Sequence, residues 1–349
     1  MRMGMQHRIG MWSGVCLLVT VGIIIAYSAI TLRNEAALAH GEAIENATIL
    51  AGQVGEKLAG EILVRIEGTL DTARTLAQAL SGVKDEYNPL ELGRSEINSI
   101  LYNILDKNPK FIGIYTAWEV DAFDFMDIGY RNDAGHDATG RFIPYWSRNE
   151  EGNISLDPLL DYEKEGPGDY YQLPKKTKKE CVIDPHYYPV QGKDTLMISL
   201  VAPILKNETF YGVAGIDLGV DLLQEIADDV KGLYEGSVKV LIISNNGKLA
   251  GITGEPELVG EHIKEVFKEW KIYTEFIEKE QKQIELAKSH VSVFVPVKIG
   301  NTTAPWGVEI LIPMEKVTKK ADLQMRGTLK TMWIMIGISF VCAFAALII

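Results

Sequence analysis

The sequence contains little cysteine and little histidine. Its 349 residues include three cysteines and six histidines. Cys16 and Cys342 lie within apolar runs, which leaves Cys181 without an obvious partner. The histidines are too widely spaced to form a metal-binding motif, so we expect no disulfide framework, no metal site and no cofactor.

An excess of basic residues is also absent. Lys and Arg total 35, Asp and Glu total 47, and the formal net charge is -12. Nucleic-acid binding is not expected, because phosphates require a basic surface. With 47% hydrophobic and 23% charged residues, the chain can nevertheless form a packed core.

Recognisable catalytic motifs are missing as well. The sequence has no Gly-x-Ser-x-Gly, no phosphate-binding Gly-x-x-x-x-Gly-Lys and no His-Glu-x-x-His. Asp121, Asp124 and Asp127 are spaced by three residues but lack the glycine and closing glutamate of a calcium loop. We interpret them as a solvated acidic loop and predict that the chain is not an enzyme.

Two long uncharged runs are present, at residues 9–32 and 331–349. About 20 apolar residues in a helix cross a bilayer, so both runs predict transmembrane helices, which we place at 9–32 and 329–349. The basic residues within 1–8 favour a cytoplasmic N-terminus and an extracytoplasmic middle. Because the second run ends the sequence, we expect a truncated chain whose cytoplasmic output part is absent.

The first run could alternatively be a cleaved signal peptide. The residues 37–39 (ALA) are similar to a cleavage site. Arg33 separates them from the apolar run, and that run is longer than an ordinary signal core. We therefore favour an anchor in the plasma membrane.

Between the two runs, residues 33–81 predict a long stalk helix. Apolar residues recur there at steps of three and four from residue 44 to residue 80. A second, shorter helix is expected over 91–105. A strand rich in β-branched and aromatic residues is expected over 111–118 (FIGIYTAW), and an irregular excursion over 121–169.

A hairpin pattern occurs twice in the second half of the sequence. The first copy comprises 199–204 (SLVAPI) and 211–218 (YGVAGIDL), and the second comprises 292–297 (SVFVPV) and 306–312 (WGVEILI). This repeat predicts two antiparallel-sheet modules in series. One mixed sheet with a chance similarity is the alternative.

We define the first module as residues 82–230 and the second module as residues 235–312. Further strands are expected in the first module at 195–205 and 210–218, and in the second at 238–244 and 248–252. A helix should follow residue 218, with Leu222, Leu223, Ile226 and Val230 on one face. A return helix over 313–328 should lead to the second apolar run.

Four stretches carry a family resemblance: 118–119 (WE), 140–146 (GRFIPYW), 184–193 (DPHYYPVQGK) and 212–218 (GVAGIDL). Together with the order of elements, they make residues 33–328 resemble the double Cache sensors of bacterial chemoreceptors and sensor histidine kinases. The resemblance implies an α+β fold with two PAS-like sheets between two transmembrane helices. It also implies a homodimer along the long helix, and a ligand site in the first, membrane-distal module.

A polar ligand loses its hydrogen bonds to water when it enters a sensor pocket, so side chains of the pocket must replace them. Arg141 could hold a carboxylate, and Asp217 could accept from an amine. The remaining candidates are aromatic or imidazole side chains that could form the pocket walls: Trp118, Tyr145, Trp146, His186, Tyr187 and Tyr188.

Each candidate also has a structural interpretation. Arg141 could pair with Asp133 or Asp137, Trp118 and His186 are more typical of packing or structural roles, and Asp217 could cap the following helix. Tyr145 and Trp146 are adjacent in an extended segment, so we expect only one of them to point inward.

A subset of double Cache domains that binds amino acids has an arginine, nearby aromatic residues and a Pro-Tyr-x-Asp-like segment. Here the corresponding residues are Pro185, His186, Tyr187 and Tyr188, with tyrosine in the acidic place. We therefore expect a small organic acid, an amine or an amino-acid-like ligand, without predicting an α-amino acid. The expected function is the input region of a methyl-accepting chemotaxis protein. The alternatives are the sensor region of a histidine kinase or another cytoplasmic output, then a membrane-tethered enzyme or an adhesin-like ectodomain.

Overall fold

The computed structural model describes residues 5–268, 270–302 and 304–348, with the backbone alone for 5–11, 17, 18 and 342–348. The predictions for residues 1–4 and Ile349, and for the Cys342 side chain, lie outside this part. The chain divides into two compact units. One comprises 1–50, 286–291 and 312–349, and the other comprises 51–285 and 292–311.

The long helix α1 (Met5–Ser81) is continuous over 77 residues, about 115 Å at 1.5 Å per residue. The predicted first span and the predicted stalk therefore belong to one helix. From Trp12 onward it contains the one stretch, among the described residues, that is long and apolar enough to cross a membrane. Helix α7 (Met314–Ile348) likewise joins the predicted return helix to the second apolar run. The second membrane span stays a prediction.

Within the larger unit, α1 buries a stripe of apolar residues. Leu58, Ile62, Ile66 and Leu70 follow one another at steps of four and have no exposed surface. This spacing places them on one face of the helix, as the sequence pattern predicts. In the smaller unit, His40 Nε2 on α1 lies 2.9 Å from Asp322 Oδ1 on α7.

The first module contains a six-stranded antiparallel sheet with the order β3-β2-β1-β6-β5-β4. Its strands are β1 (Phe111–Trp118), β2 (Pro144–Arg148), β3 (Ile154–Pro158), β4 (Cys181–Val190), β5 (Lys193–Lys206) and β6 (Thr209–Gly219). Its helices are α2 (Arg94–Lys107), α3 (Asp169–Thr177) and α4 (Asp221–Asp228).

The second module contains a five-stranded sheet with the order β8-β7-β11-β10-β9. Its strands are β7 (Lys239–Ile243), β8 (Leu249–Ile252), β9 (Gln283–Leu286), β10 (His290–Val297) and β11 (Trp306–Pro313). Its helices are α5 (Ile263–Val266) and α6 (Trp270–Lys279). The predicted repeat corresponds to β5 and β6 in the first module and to β10 and β11 in the second, which confirms two sheets in series.

The irregular excursion predicted over 121–169 is only partly irregular. It contains β2 and β3, which pair with each other and extend the sheet beyond β1. Each of these strands has five residues, and Pro144 and Pro158 stand at their ends. Proline is tolerated at strand ends. In a strand of only five residues, however, it weakens the local sequence pattern by which a strand is predicted.

Candidate ligand-binding site

The candidate site lies on one face of the first module's sheet, where strand register sets its base. Ser147, Gly113, Asp217 and Ser199 are successive register partners on β2, β1, β6 and β5. Register partners on adjacent strands point to the same face of a sheet. A carboxylate and two serine hydroxyls are therefore brought together from residues far apart in sequence.

A second row on the same face supplies aromatic rings. Tyr145, Tyr115 and Gly215 are register partners, two residues along each strand from the first row. A Cβ atom at Gly113 would lie 2.4 Å from the ring of Tyr145, and one at Gly215 would lie 2.2 Å from the ring of Tyr115. The two glycines thus leave space for these rings to lie against the sheet.

Four tyrosines form a closed group, which we name the tyrosine cluster: Tyr115, Tyr145, Tyr170 and Tyr188. Ring centroids are 6.0 Å apart for Tyr115 and Tyr145, and 5.3 Å apart for Tyr145 and Tyr188. Tyr170 closes the group, because its ring centroid lies 6.0 Å from that of Tyr188 and 5.5 Å from that of Tyr115. All four pairs meet edge to face, an arrangement that aromatic quadrupoles favour.

Asp217 is the charged group of this site. Its side chain is buried, and its Oδ1 accepts a hydrogen bond of 2.5 Å from the Ser199 hydroxyl. Burial raises the pKa of Asp217 to about 6, opposed by the hydrogen bond from Ser199 and by the nearby Tyr145 hydroxyl. In the described part of the chain, no cationic side chain contributes to this pKa. At neutral pH the site therefore holds a buried carboxylate without a counter-charge.

Several hydroxyl groups around Asp217 are buried without a hydrogen bond of ordinary geometry to the described residues. They are Tyr115 Oη, Tyr145 Oη and Ser147 Oγ. A buried polar group without a partner costs free energy comparable to a lost hydrogen bond. Such a group of hydroxyls beside a carboxylate is suited to a ligand that donates hydrogen bonds.

Arg141 is engaged within the protein. Its guanidinium donates to the Trp118 carbonyl and to the Tyr171 hydroxyl, and Nη1 lies 3.3 Å from Glu163 Oε1. The guanidinium also lies 4.7 Å from the ring centroid of Tyr162. Neither of the ion pairs considered from sequence, with Asp133 or Asp137, is formed by this guanidinium. Three of the five N–H donors of the Arg141 guanidinium are therefore used within the protein.

The two predicted tryptophans do not belong to the tyrosine cluster. Trp118 has no exposed surface and packs edge to face on Phe123 at 5.0 Å. Trp146 points away from Tyr145, and its Nε1 donates a 3.0 Å hydrogen bond to Asn98 Oδ1 on α2. Only Tyr145 of the adjacent pair faces the site, as strand alternation requires.

The predicted residues of β4 are divided between two places. Tyr188 belongs to the tyrosine cluster, whereas Tyr187 is 68% exposed. Tyr187 and His186 line a separate cavity of about 360 Å³. Asp217 does not cap the following helix, because the N-cap position of α4 is Val220.

The acidic loop is only partly solvated, in contrast to our interpretation of the sequence: Asp121 is exposed and Asp124 is half-buried. Asp127 is buried, and both Asp124 and Asp127 lie 2.6 Å from Arg94 Nη2. Asp127 Oδ2 also accepts from the backbone N–H of Asp121. Arg94, from α2, neutralises these carboxylates, a partner that spacing within the loop could not reveal. The described residues contain no group of three or more His, Cys, Asp or Glu placed to hold a metal ion.

Sequence analysis missed four side chains of this site: Tyr115, Ser147, Tyr170 and Ser199. Tyr115 lies in the middle of an apolar strand and was treated as part of that strand alone. One sequence signal could have indicated that the Tyr115 ring lies over a glycine. Gly113 and Tyr115 are two residues apart on β1, and Gly215 and Asp217 are two residues apart on β6, so each pair shares one face of its strand. Paired strands of this kind can place a ring over a glycine.

The fold and the site define a class, that of small-molecule sensor modules with tandem PAS-like sheets, and comparison with known proteins agrees. Residues 97–225 match the model of a family described as "Methyl-accepting chemotaxis protein-like, first PDC sensor domain". The extracellular domain of a protein described as a histidine kinase, mmHK1S-Z2, is 30% identical to this chain with a TM-score of 0.64. The match covers 80% of this chain and 99% of that domain. The chain belongs to the double Cache family of extracytoplasmic sensor domains.

Two relatives come from Pseudomonas aeruginosa PAO1. The methyl-accepting chemotaxis protein TlpQ is 22% identical, and the match covers all of this chain and 52% of TlpQ. This chain thus spans about half the length of that curated relative. The ligand-binding domain of the amino acid chemoreceptor PctC, solved in complex with GABA, is 17% identical with a TM-score of 0.50. That match covers 76% of this chain and 99% of the PctC domain.

Proposed function

We propose that this chain is the sensor region of a plasma-membrane receptor that binds a small organic amine outside the cytoplasm. The observation that carries the ligand class is Asp217, a buried carboxylate without a cationic partner in the described residues, enclosed by the tyrosine cluster. A desolvated ammonium group is stabilised both by a carboxylate and by aromatic faces.

The alternative ligand class, a small organic acid, is disfavoured by the same geometry. A carboxylate ligand would lie beside the Asp217 carboxylate, and repulsion between buried like charges is costly. Arg141, the residue that the sequence suggested for binding a carboxylate, already donates to Trp118 and Tyr171. An amine with an aliphatic or aromatic body fits both the charge and the rings.

Binding would be converted into a signal only if the ligand prefers one of two conformations of the receptor. Tyr170 and Tyr188 contact the backbone of Leu160, in the segment that joins β3 to α3. We propose that closure of this segment on the ligand shifts the first module. Helices α1 and α7 would carry that displacement across the membrane, most simply as a homodimer paired along α1.

For the output we propose a chemotaxis signalling region, with a histidine kinase as the second candidate. TlpQ supports the first candidate, since it is a chemotaxis protein aligned with the whole of this chain. The similarity to mmHK1S-Z2 supports the second. The coding sequence after Ile349 distinguishes them, because a long heptad hairpin indicates a chemoreceptor and an ATP-binding domain indicates a kinase.

The ligand proposal is tested by calorimetric screening of the full chain in detergent micelles. The panel pairs small primary amines with alcohols and carboxylic acids of the same skeleton. We expect binding by members of the amine set alone, weakened about tenfold or more in Asp217→Asn, because a hydrogen bond to a charged group contributes about 1.5–3 kcal/mol. Trp146→Phe, on the outward side of the same strand as Tyr145, is the matched control and should bind normally.

The proposal fails if the carboxylic acids bind and the amines do not. It also fails if Asp217→Asn binds the amines as tightly as the unchanged chain. Conversion of any compound to product during the titration would instead favour an enzyme.

A further inference from the structure

A second cavity lies apart from the tyrosine cluster, where the two modules of the larger unit meet. It has a volume of about 360 Å³, and we name it the β4 cavity. From the first module it is lined by β4 residues such as Asp184, His186 and Tyr187. From the second module it is lined by Asn245 and Lys248, in the connection between β7 and β8.

A break in strand register places β4 against the second module. The pairing of β4 with β5 shifts between Ile183 and His186, so Asp184 and Pro185 lie in an irregular segment of the strand. Asn246 Nδ2 donates to Asp184 Oδ2 at 2.7 Å, and Lys248 Nζ donates to the Pro185 carbonyl at 2.9 Å. Strand irregularities of this kind re-aim side chains and are common near functional sites.

The wall of the β4 cavity is rich in hydrogen-bond acceptors. Asp184 Oδ1 and Asn245 Oδ1 are buried and form no hydrogen bond of ordinary geometry to the described residues. His186 Nδ1 lies 2.8 Å from the Asp184 carbonyl, which can only accept, so this nitrogen carries a proton. Burial lowers the pKa of His186, which keeps the ring neutral and makes Nε2 a third acceptor.

Two cationic groups lie near the cavity. The Lys248 ammonium donates to the neutral Pro185 carbonyl, and its charge lowers the pKa of Asp184, although burial raises that pKa by more. Arg74 pairs with Glu180, whose side chain also lines the cavity. The Asp184 carboxylate therefore keeps an oxygen that needs a donor, beside an apolar wall that includes Val182 and Trp306.

We propose that the β4 cavity is a second ligand site, which takes a small organic cation bearing at least two N–H donors on a flat or aliphatic body. An amidinium fits this description, because its donors can reach two acceptors at once. The site goes beyond the proposed sensor function, since it uses neither Asp217 nor the tyrosine cluster. An occupant would contact both modules and β4, the strand that also carries Tyr188.

The test uses benzamidine as the probe and benzamide as its neutral counterpart, in isothermal titrations of the full chain in detergent micelles. We expect benzamidine to bind and benzamide to bind at least tenfold more weakly, since it lacks the charge. Asp184→Asn should weaken benzamidine binding about tenfold or more. Tyr187→Ala, which removes an exposed side chain and should leave the fold intact, should weaken it to a smaller extent.

Asp217→Asn is the control that separates this site from the tyrosine cluster: benzamidine should still bind to this variant, and adding Asp184→Asn to it should weaken the remaining binding about tenfold or more. Thermal unfolding of each variant verifies folding. Binding that is lost in Asp217→Asn and retained in Asp184→Asn would assign benzamidine to the tyrosine cluster and overturn the second site. Absence of benzamidine binding to the unchanged chain, or the same affinity in Asp184→Asn as in the unchanged chain, would overturn it as well.

Discussion

At the residue scale, the two modules share a buried pair of a serine and a carboxylic acid. Ser199 donates to Asp217 in the first module, and Ser292 donates to Glu309 in the second. Both acids are buried, but their surroundings differ. Glu309 Oε2 has no hydrogen-bond partner in the described residues, and α6 covers this face through the contact of Phe276 with Phe294.

Glu309 should make the stability of the second module depend on pH. Burial raises its pKa from 4.5 to about 8, opposed by the hydrogen bond from Ser292 and reinforced by Glu285. The folded chain thus binds a proton that the unfolded chain has lost between those pH values. The free energy of unfolding should therefore fall by several kcal/mol as the pH rises from about 4.5 to about 8.

Thermal unfolding of Glu309→Gln across that pH range checks this prediction. Glutamine keeps the shape and the neutral state of the side chain, so the variant should be more stable than the unchanged chain at pH 8. The difference should shrink toward pH 4.5. Parallel stability curves for the two proteins would show that Glu309 is ionised in the folded state.

Asp217 should make ligand binding depend on pH in the opposite sense. Its pKa of about 6 means that protonation below pH 6 removes the charge that attracts an ammonium group. The affinity for an amine found in the screen should be constant from pH 7 to 8 and fall up to tenfold per pH unit below pH 6. In Asp217→Asn the residual affinity should not change over this range. A pH profile that survives the substitution would assign the titration to another group.

At the element scale, the prediction of strands from sequence worked best where one local signal was continuous. The strand β1 was predicted with its observed bounds, because eight residues of β-branched and aromatic character run without interruption. The short strands β2 and β3 owe their existence to pairing beyond β1, a non-local interaction. The same holds for the site, since Tyr170 reaches the tyrosine cluster from α3.

The close approach of rings to strands can be tested at Gly113. A Cβ atom at this position meets the Tyr145 ring at 2.4 Å, so Gly113→Ala should destabilise the first module by about 1–3 kcal/mol. Combining it with Tyr145→Ala should cost less than the sum of the two single changes, because the clash is then absent. Denaturant unfolding of the four proteins measures this coupling. Additive costs would show that the ring and the strand do not constrain each other.

Gly60 provides the matched control for that experiment. It lies in the interior of α1 with no heavy atom within 4 Å of a built Cβ. Because alanine is the better helix former, Gly60→Ala should stabilise the chain by up to about 1 kcal/mol. The same substitution is therefore expected to act with opposite signs at two glycines, depending on what faces the new methyl group.

At the scale of the whole molecule, the sequence pattern that predicted two spans does not itself fix their orientation. Arg2 and Arg8 favour a cytoplasmic N-terminus. Against this, the lysine and arginine residues between 316 and 330 would lie on the outer side of the second apolar run. The charged residues that flank the two apolar runs thus favour opposite orientations. Similarity to extracytoplasmic sensor domains favours the orientation with both modules outside.

Orientation can be measured with a membrane-impermeant maleimide on intact cells. In a variant whose three cysteines are replaced by serine, Tyr87→Cys introduces a thiol at a position that is 96% exposed in the first module. We expect this thiol to react on intact cells, whereas Gln6→Cys, before the first apolar run, should react only after lysis. Reaction of Gln6→Cys alone on intact cells would invert the topology. Recovery of a Tyr87→Cys product shortened at its N-terminus and released from the membrane would show a cleaved signal peptide, and α1 would then have no membrane segment through which to transmit ligand binding.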